Sequence, residues 1–130
     1  MNSETSSAAV LVVDDDLMSR TKIAIAVEKL GYQSIKASGG EEGLDQLRKT
    51  SIDVMLLDLL MPEMDGFSVL EAIQQTPDLP KIPIVVISSL EDEESEARAI
   101  ALGATRCLTK GFEIAALRTC LYEVLATDSE

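Results

Sequence analysis

Val10-Leu-Val-Val-Asp-Asp-Asp-Leu-Met-Ser-Arg-Thr-Lys-Ile-Ala-Ile-Ala-Val-Glu-Lys-Leu-Gly31 changes its hydrophobic period once, and that change predicts the fold. The first four residues are a continuous apolar run, the pattern of a strand buried on both faces. After three acids, Ile23, Val27 and Leu30 recur at helical spacing, and Gly31 supplies a natural stop. A buried strand feeding directly into an amphipathic helix is the unit of a parallel sheet, because parallel strands need a crossover connection.

The unit recurs along the chain. Val10 to Val13 is the first strand, and apolar runs at Gln33 to Ala37, Ile52 to Leu57, Ile84 to Ile87 and Thr105 to Leu108 predict four more. Leu44 and Leu47 mark a short second helix, and Phe67, Leu70 and Ile73 a third, ended by Pro77, Pro80 and Pro83. A fourth runs from Asp92 to Leu102, its acids at the favourable positive end and Gly103 closing it. Ile114, Leu117, Leu121 and Val124 give the fifth a clean apolar face. Strand and helix thus alternate five times without an internal sequence repeat. The expected class is α/β, a doubly wound, three-layer sandwich around one five-stranded parallel sheet.

With 130 residues the chain fits one domain with a real core. Residues 1–8 are small and polar, without a basic start or an apolar run, so they read as a flexible N-terminal arm and not as a signal peptide. The domain is expected over residues 9–126, with 127–130 as a flexible tail. No apolar stretch approaches the roughly 20 residues needed to span a bilayer, which points to no membrane partner and a cytoplasmic location. Eleven Lys and Arg face 23 Asp and Glu, a net charge of −12 that repels a phosphate backbone and argues against direct nucleic-acid binding. Cys107 and Cys120 lie within apolar patterns, and the chain has no histidine to assist them. Both read as reduced, half-buried small hydrophobes, so zinc and thiol catalysis drop out.

Sheets of this kind bind ligands outside the carboxyl ends of their strands. Those ends carry Asp14, Asp15 and Asp16 after the first strand, Asp58 after the third, Ser88 after the fourth and Lys110 after the fifth. Asp16 reads as a helix N-cap. Carboxylates from Asp14, Asp15 and Asp58 would converge, each pair repelling by roughly 4 kcal/mol at about 4 Å and an effective dielectric near 20. Such a cluster asks for a divalent cation, and hard oxygen ligands with room for water and phosphate favour Mg²⁺. A carboxylate in line with a phosphoryl group is a competent nucleophile. Lys110 and the Ser88 hydroxyl are placed to hold phosphoryl oxygens. No glycine-rich nucleotide loop follows the first strand, and Gly39, Gly40 and Gly43 read as a turn and a poor helix start without a ligand role.

Leu11-Val-Val-Asp-Asp-Asp16, Leu56-Leu-Asp-Leu-Leu-Met-Pro-Glu-Met-Asp-Gly66, Val86-Ile-Ser-Ser89 and Thr109-Lys-Gly-Phe112 together resemble the receiver domain of two-component response regulators, of the chemotaxis-regulator kind. The resemblance covers about Ala9 to Ala126, and its Asp58 to Gly66 block is highly specific. It implies a flavodoxin-like (βα)5 fold with sheet order 2-1-3-4-5. It also implies that a sensor histidine kinase or histidine phosphotransfer protein phosphorylates Asp58, which then switches an output domain or effector whose nature the sequence does not show. Asp15, Asp58 and the Leu60 carbonyl would ligate Mg²⁺, Asp14 acting mainly through bound water. Ser88 and Lys110 would contact the phosphoryl group. The domain would catalyse only its own phosphorylation and dephosphorylation. Its usual output surface is the fourth helix, fifth strand and fifth helix.

Two positions depart from the family pattern. Gly111 stands where proline usually follows the lysine, which predicts a trans peptide bond and a more mobile loop. Cys107 stands where the fifth strand usually carries a switch aromatic, so coupling from Ser88 to the output surface is expected to be weakened or rerouted. Leu60 and Leu90 flank the path of a hydrolytic water and predict a slowly decaying phosphorylated form, tested by self-dephosphorylation, or else serve as packing and partner contacts. Two other functions stay open. One is a receiver-like interaction module that works without phosphorylation, which Cys107 and Gly111 permit. The other is a phosphatase similar to the haloacid dehalogenase superfamily, matched by the Asp14 and Asp16 spacing but lacking an acidic pair after Lys110. The acidic run Glu91 to Glu96 reads as a solvated helix start.

Overall fold

The first strand, β1 (Ala9–Val13), has every residue buried, as its unbroken apolar run requires. The computed structural model describes residues 7–89 and 92–128, so most of the expected arm, the last two residues of the tail, Leu90 and Glu91 lie outside the described residues. After β1 come α1 (Leu17–Lys29), β2 (Gln33–Ala37), α2 (Gly40–Lys49), β3 (Val54–Asp58), α3 (Gly66–Gln75), β4 (Ile84–Ser88), α4 (Glu93–Ala101), β5 (Arg106–Thr109) and α5 (Ile114–Asp128). The strands pair in parallel in the order β2-β1-β3-β4-β5. This is the expected doubly wound sheet, with its strand order reversing beside β1.

Alternation within each strand divides the core into two layers. Leu11, Val13, Met55, Leu57 and Val86 face a cluster completed by α2, α3 and Ala99 of α4. Val10, Val12, Leu56, Val85 and Ile87 face a second cluster completed by Ile23 and Val27 of α1 and by Leu117, Leu121 and Val124 of α5. β1, β3 and β4 are buried throughout, whereas the edge strands β2 and β5 are partly exposed.

The helix starts follow their sequence signals. Asp16, Asp65 and Asp92 each accept a backbone N–H from the third residue on, capping α1, α3 and α4. Gly31 and Gly103 end α1 and α4 at positive φ. Gly39 and Gly40 form the turn and start of α2 as expected, and Gly40 and Gly43 also let it lie close: a Cβ on Gly43 would come 3.0 Å from Val13, and one on Gly40 2.7 Å from Met64.

Two expectations are corrected. β3 begins at Val54 and not at Ile52, because the Asp53 carboxylate accepts the Ala9 N–H at 2.8 Å while its own N–H goes to the Ala9 carbonyl. Ile114 is 43% exposed, since it lies at the open first turn of α5, and the buried face of that helix runs through Leu117, Cys120, Leu121 and Val124. Cys107 is half-buried and Cys120 buried, both as free thiols. Among the described residues no helix is long and apolar enough to cross a membrane.

Candidate functional site

The carboxyl ends of β1, β3 and β5 deliver three acids and a lysine to one place. Asp14 directly follows β1 and is 1% exposed. Both of its oxygens are engaged: Oδ1 accepts the Asp16 N–H at 2.9 Å, and Oδ2 accepts the Ser19 hydroxyl at 2.6 Å. Arg20 donates from Nη1 to the Asp14 carbonyl at 2.8 Å, tying the turn to α1. Asp15 is exposed.

Asp58 ends β3 and is buried. The Leu60 N–H donates to its Oδ1 at 3.3 Å. Gly66 starts α3 against this backbone, because a Cβ there would lie 2.6 Å from the Asp58 carbonyl oxygen. One carboxylate oxygen from each of Asp14, Asp15 and Asp58 falls within 4.8 Å of the others. The predicted convergence is therefore present.

Lys110 enters from the end of β5, its N–H bonded to the Ser88 carbonyl at 2.8 Å. Its ammonium lies 3.2 Å from Asp14 Oδ2 and 3.6 Å from Asp58 Oδ2. Ser88 is buried at the end of β4, one residue beyond Ile87, which pairs with Asp58 in the ladder. Leu60 is 50% exposed at the rim. The bond before Gly111 is trans, as expected, and Gly111 has φ +86.

Burial, and then the neighbouring charge of Asp14, raises the Asp58 pKa to about 6 despite the pull of Lys110 and the Leu60 N–H. For Lys110, partial burial opposes the charged form, but Asp58 and Asp14 outweigh it and raise its pKa. A site with three carboxylates against one ammonium, two of the acids buried and the third open to solvent, fits a hard divalent cation. The arrangement can hold such an ion and present a buried carboxylate to an incoming electrophile.

A groove of about 540 Å³ adjoins the site between α1 and the segment after β5, lined by Met18, Ser19, Lys22, Gly111, Phe112 and Ile114. Leu17 and Met18 are 65% and 68% exposed beside it. A cavity of about 70 Å³ under α4 reaches from Ser88 to Cys107. Sequence reasoning missed Ser19 and Arg20. Their only signal was polarity directly after the apolar pair Leu17 and Met18 in the first turn of α1, and Thr21 and Lys22 share it.

The family model described as the response regulator receiver domain matches residues 10–122. Response regulator RR06 of Streptococcus pneumoniae serotype 2 is 39% identical over 108 residues, covering 83% of this chain and 48% of that protein. Sensor histidine kinase RcsC of Salmonella typhi is 34% identical over 112 residues, covering 86% of this chain and 12% of that protein. The chain thus spans about half or less of the length of these curated relatives. The solved structure of Vibrio cholerae chemotaxis protein CheY4 superposes with a TM-score of 0.85 at 31% identity, covering 92% of this chain and all of that one. Receiver domains are signalling modules that bind Mg²⁺ at an acidic pocket, and an Asp cluster stands at the corresponding strand ends here. The chain belongs to the response regulator receiver domain family of two-component signalling.

Proposed function

We propose that Asp58 is the phosphoacceptor of this chain, that it takes a phosphoryl group from a sensor histidine kinase or histidine phosphotransfer protein, and that the modified domain switches an output domain or effector. The convergence of Asp14, Asp15, Asp58 and Lys110 at the ends of three strands carries the reading. Asp14, Asp15, Asp58 and the Leu60 carbonyl would hold Mg²⁺, Asp14 largely through water. The ion, when bound, supplies positive charge against the phosphoryl oxygens.

An Asp58 oxygen forms the new O–P bond while the donor's N–P bond breaks and its electron pair returns to the imidazole. Burial keeps bulk water from competing, and a cation bound beside Asp58 would offset the burial and the Asp14 charge that raise its pKa, favouring the ionised nucleophile. Lys110 contributes a point charge to the transferred group and the Ser88 hydroxyl a hydrogen bond. The groove beside α1, with exposed Leu17 and Met18, offers apolar surface next to the acceptor for the donor protein. The functional unit is residues 9–126, working in the cytoplasm.

Incubation of the chain with acetyl phosphate and Mg²⁺, followed by intact-mass measurement, tests the assignment. One phosphoryl group should add to the wild type and none to Asp58→Ala. Equal labelling of both, or no labelling of the wild type, rejects it. Cys107 and Gly111 favour one second reading, an interaction module that works without phosphorylation. Mg²⁺-dependent binding of beryllofluoride to the wild type would exclude that reading.

A further inference from the structure

Ser19 is a polar residue on the first turn of α1 that no part of the phosphoryl-transfer reading uses. Its backbone N–H serves the cap, donating to Asp16 Oδ2 at 2.8 Å. Its hydroxyl is left for another task and donates to Asp14 Oδ2 at 2.6 Å, the short distance of a bond to a charged acceptor. The same oxygen faces the Lys110 ammonium at 3.2 Å, and the other oxygen takes the Asp16 N–H. Donors on both sides fix the rotation of a carboxylate that is almost wholly buried.

From this geometry we infer that Ser19 is a positioning residue for the acidic site, holding the Asp14 carboxylate so that Asp14, Asp15 and Asp58 present their oxygens together to a divalent cation. The inference rests on the reading of the acidic cluster as a Mg²⁺ site. Two consequences of losing the hydroxyl give it content. Asp14 keeps the Asp16 N–H and Lys110 but loses its shortest donor, so its carboxylate is held less tightly and ordering it on metal binding costs entropy that Ser19 otherwise removes in advance. Lys110 also becomes the single side-chain donor at Oδ2 among the described bonds, which draws its ammonium toward Asp14 and sets it in competition with the cation. Both effects weaken Mg²⁺ binding. Hydrogen-bond partners of metal-ligating groups commonly change affinity by about 10- to 100-fold, and an exchangeable water-bridged carboxylate belongs at the lower end.

The stability of the helix does not obscure the test. Alanine is a better helix former than serine, and the cap bond uses a backbone N–H that every substitution except proline retains. The decisive pair is Ser19→Thr and Ser19→Val, which share a shape and differ in the hydroxyl.

Mg²⁺ is titrated by isothermal titration calorimetry into the full chain as wild type, Ser19→Ala, Ser19→Thr and Ser19→Val, without any phosphodonor. The expected result is an approximately tenfold weaker dissociation constant for Ala and Val, with Thr within about threefold of the wild type. Affinity of Ala within threefold of wild type, or Thr as weak as Val, overturns the role of Ser19. If Ala does not fold, the Thr and Val pair decides alone. Failure of the wild type to bind Mg²⁺ would instead remove the metal-site reading on which the inference rests, so the two failures are distinguishable.

Discussion

Asp58 is ionised at neutral pH against the combined opposition of its burial and of Asp14, which raise its pKa from 3.8 to about 6. The folded chain therefore holds the proton more tightly than the unfolded chain does. Below the unfolded value both states are protonated and the stabilising difference is fully present. As pH rises through the interval from 3.8 to 6 the unfolded state loses its proton first, so that stability is lost, and above 6 the native state carries the whole cost of the buried charge. Asp58→Asn should accordingly stabilise the metal-free protein by roughly 3 kcal/mol at neutral pH, from about 1.4 kcal/mol per unit over the shift from 3.8 to about 6, and by less than about 1 kcal/mol near pH 4. Urea denaturation of both proteins in a chelator across that range measures the difference. A gap that stays constant with pH would contradict the electrostatic account. At this scale Asp14, Asp15, Asp58 and Lys110 were legible because each lies at the end of a strand or within two residues after it, and a strand end has one direction in a parallel sheet. Ser19 was not, since its position over Asp14 depends on where the Asp16 cap starts the helical turn.

α4 is the helix least anchored by the core, with Ala99 as its one buried residue among those described. Arg98 ties it to α3 as well, its guanidinium stacking on the Phe67 ring with 4.0 Å to the centroid. Phe67 follows Gly66, the residue packed on the Asp58 carbonyl, so the stack links α4 to the backbone of the acceptor through the start of α3. A cation over an aromatic face contributes about 0.5–1 kcal/mol at an exposed site. Arg98→Ala should therefore raise local opening of α4 by about two- to fivefold in amide hydrogen exchange, with β1, β3 and β4 unchanged. Phe67→Leu, which keeps the charge, should do the same to α4. Exchange in α4 at the wild-type rate in both variants would show that the stack holds nothing. The existence and order of the elements were readable from periodicity, whereas this tie was not, because it joins residues 31 positions apart through a ring and a charge that sequence pattern treats separately. The same limit explains β3, where a single side chain, Asp53, sets the start by binding Ala9 of the neighbouring strand β1.

Across the whole molecule, the proposed function requires a signal at Asp58 to leave the strand ends, and the family resemblance implies the face formed by α4, β5 and α5 as its destination. The direct route passes Ser88 and the cavity of about 70 Å³ that ends at Cys107. A ring at that position could move into or out of such a space and change the outer surface as it did so. The half-buried thiol of Cys107 displaces too little volume to transmit the same movement. A second physical link runs from Asp58 through Gly66 and Phe67 to Arg98 and so reaches α4 from the side of α3, whereas Lys110 ties Asp58 only to the end of β5. Beryllofluoride with Mg²⁺ should therefore perturb amide resonances at the strand ends and in α4 strongly, and those of β5 and α5 weakly. Arg98→Ala should reduce the α4 response while leaving beryllofluoride affinity within about twofold, because Arg98 touches no group in the acidic site. A response that spreads fully over β5 and α5 in the wild type, or an α4 response untouched by Arg98→Ala, would place the coupling back on the Ser88 and Cys107 side.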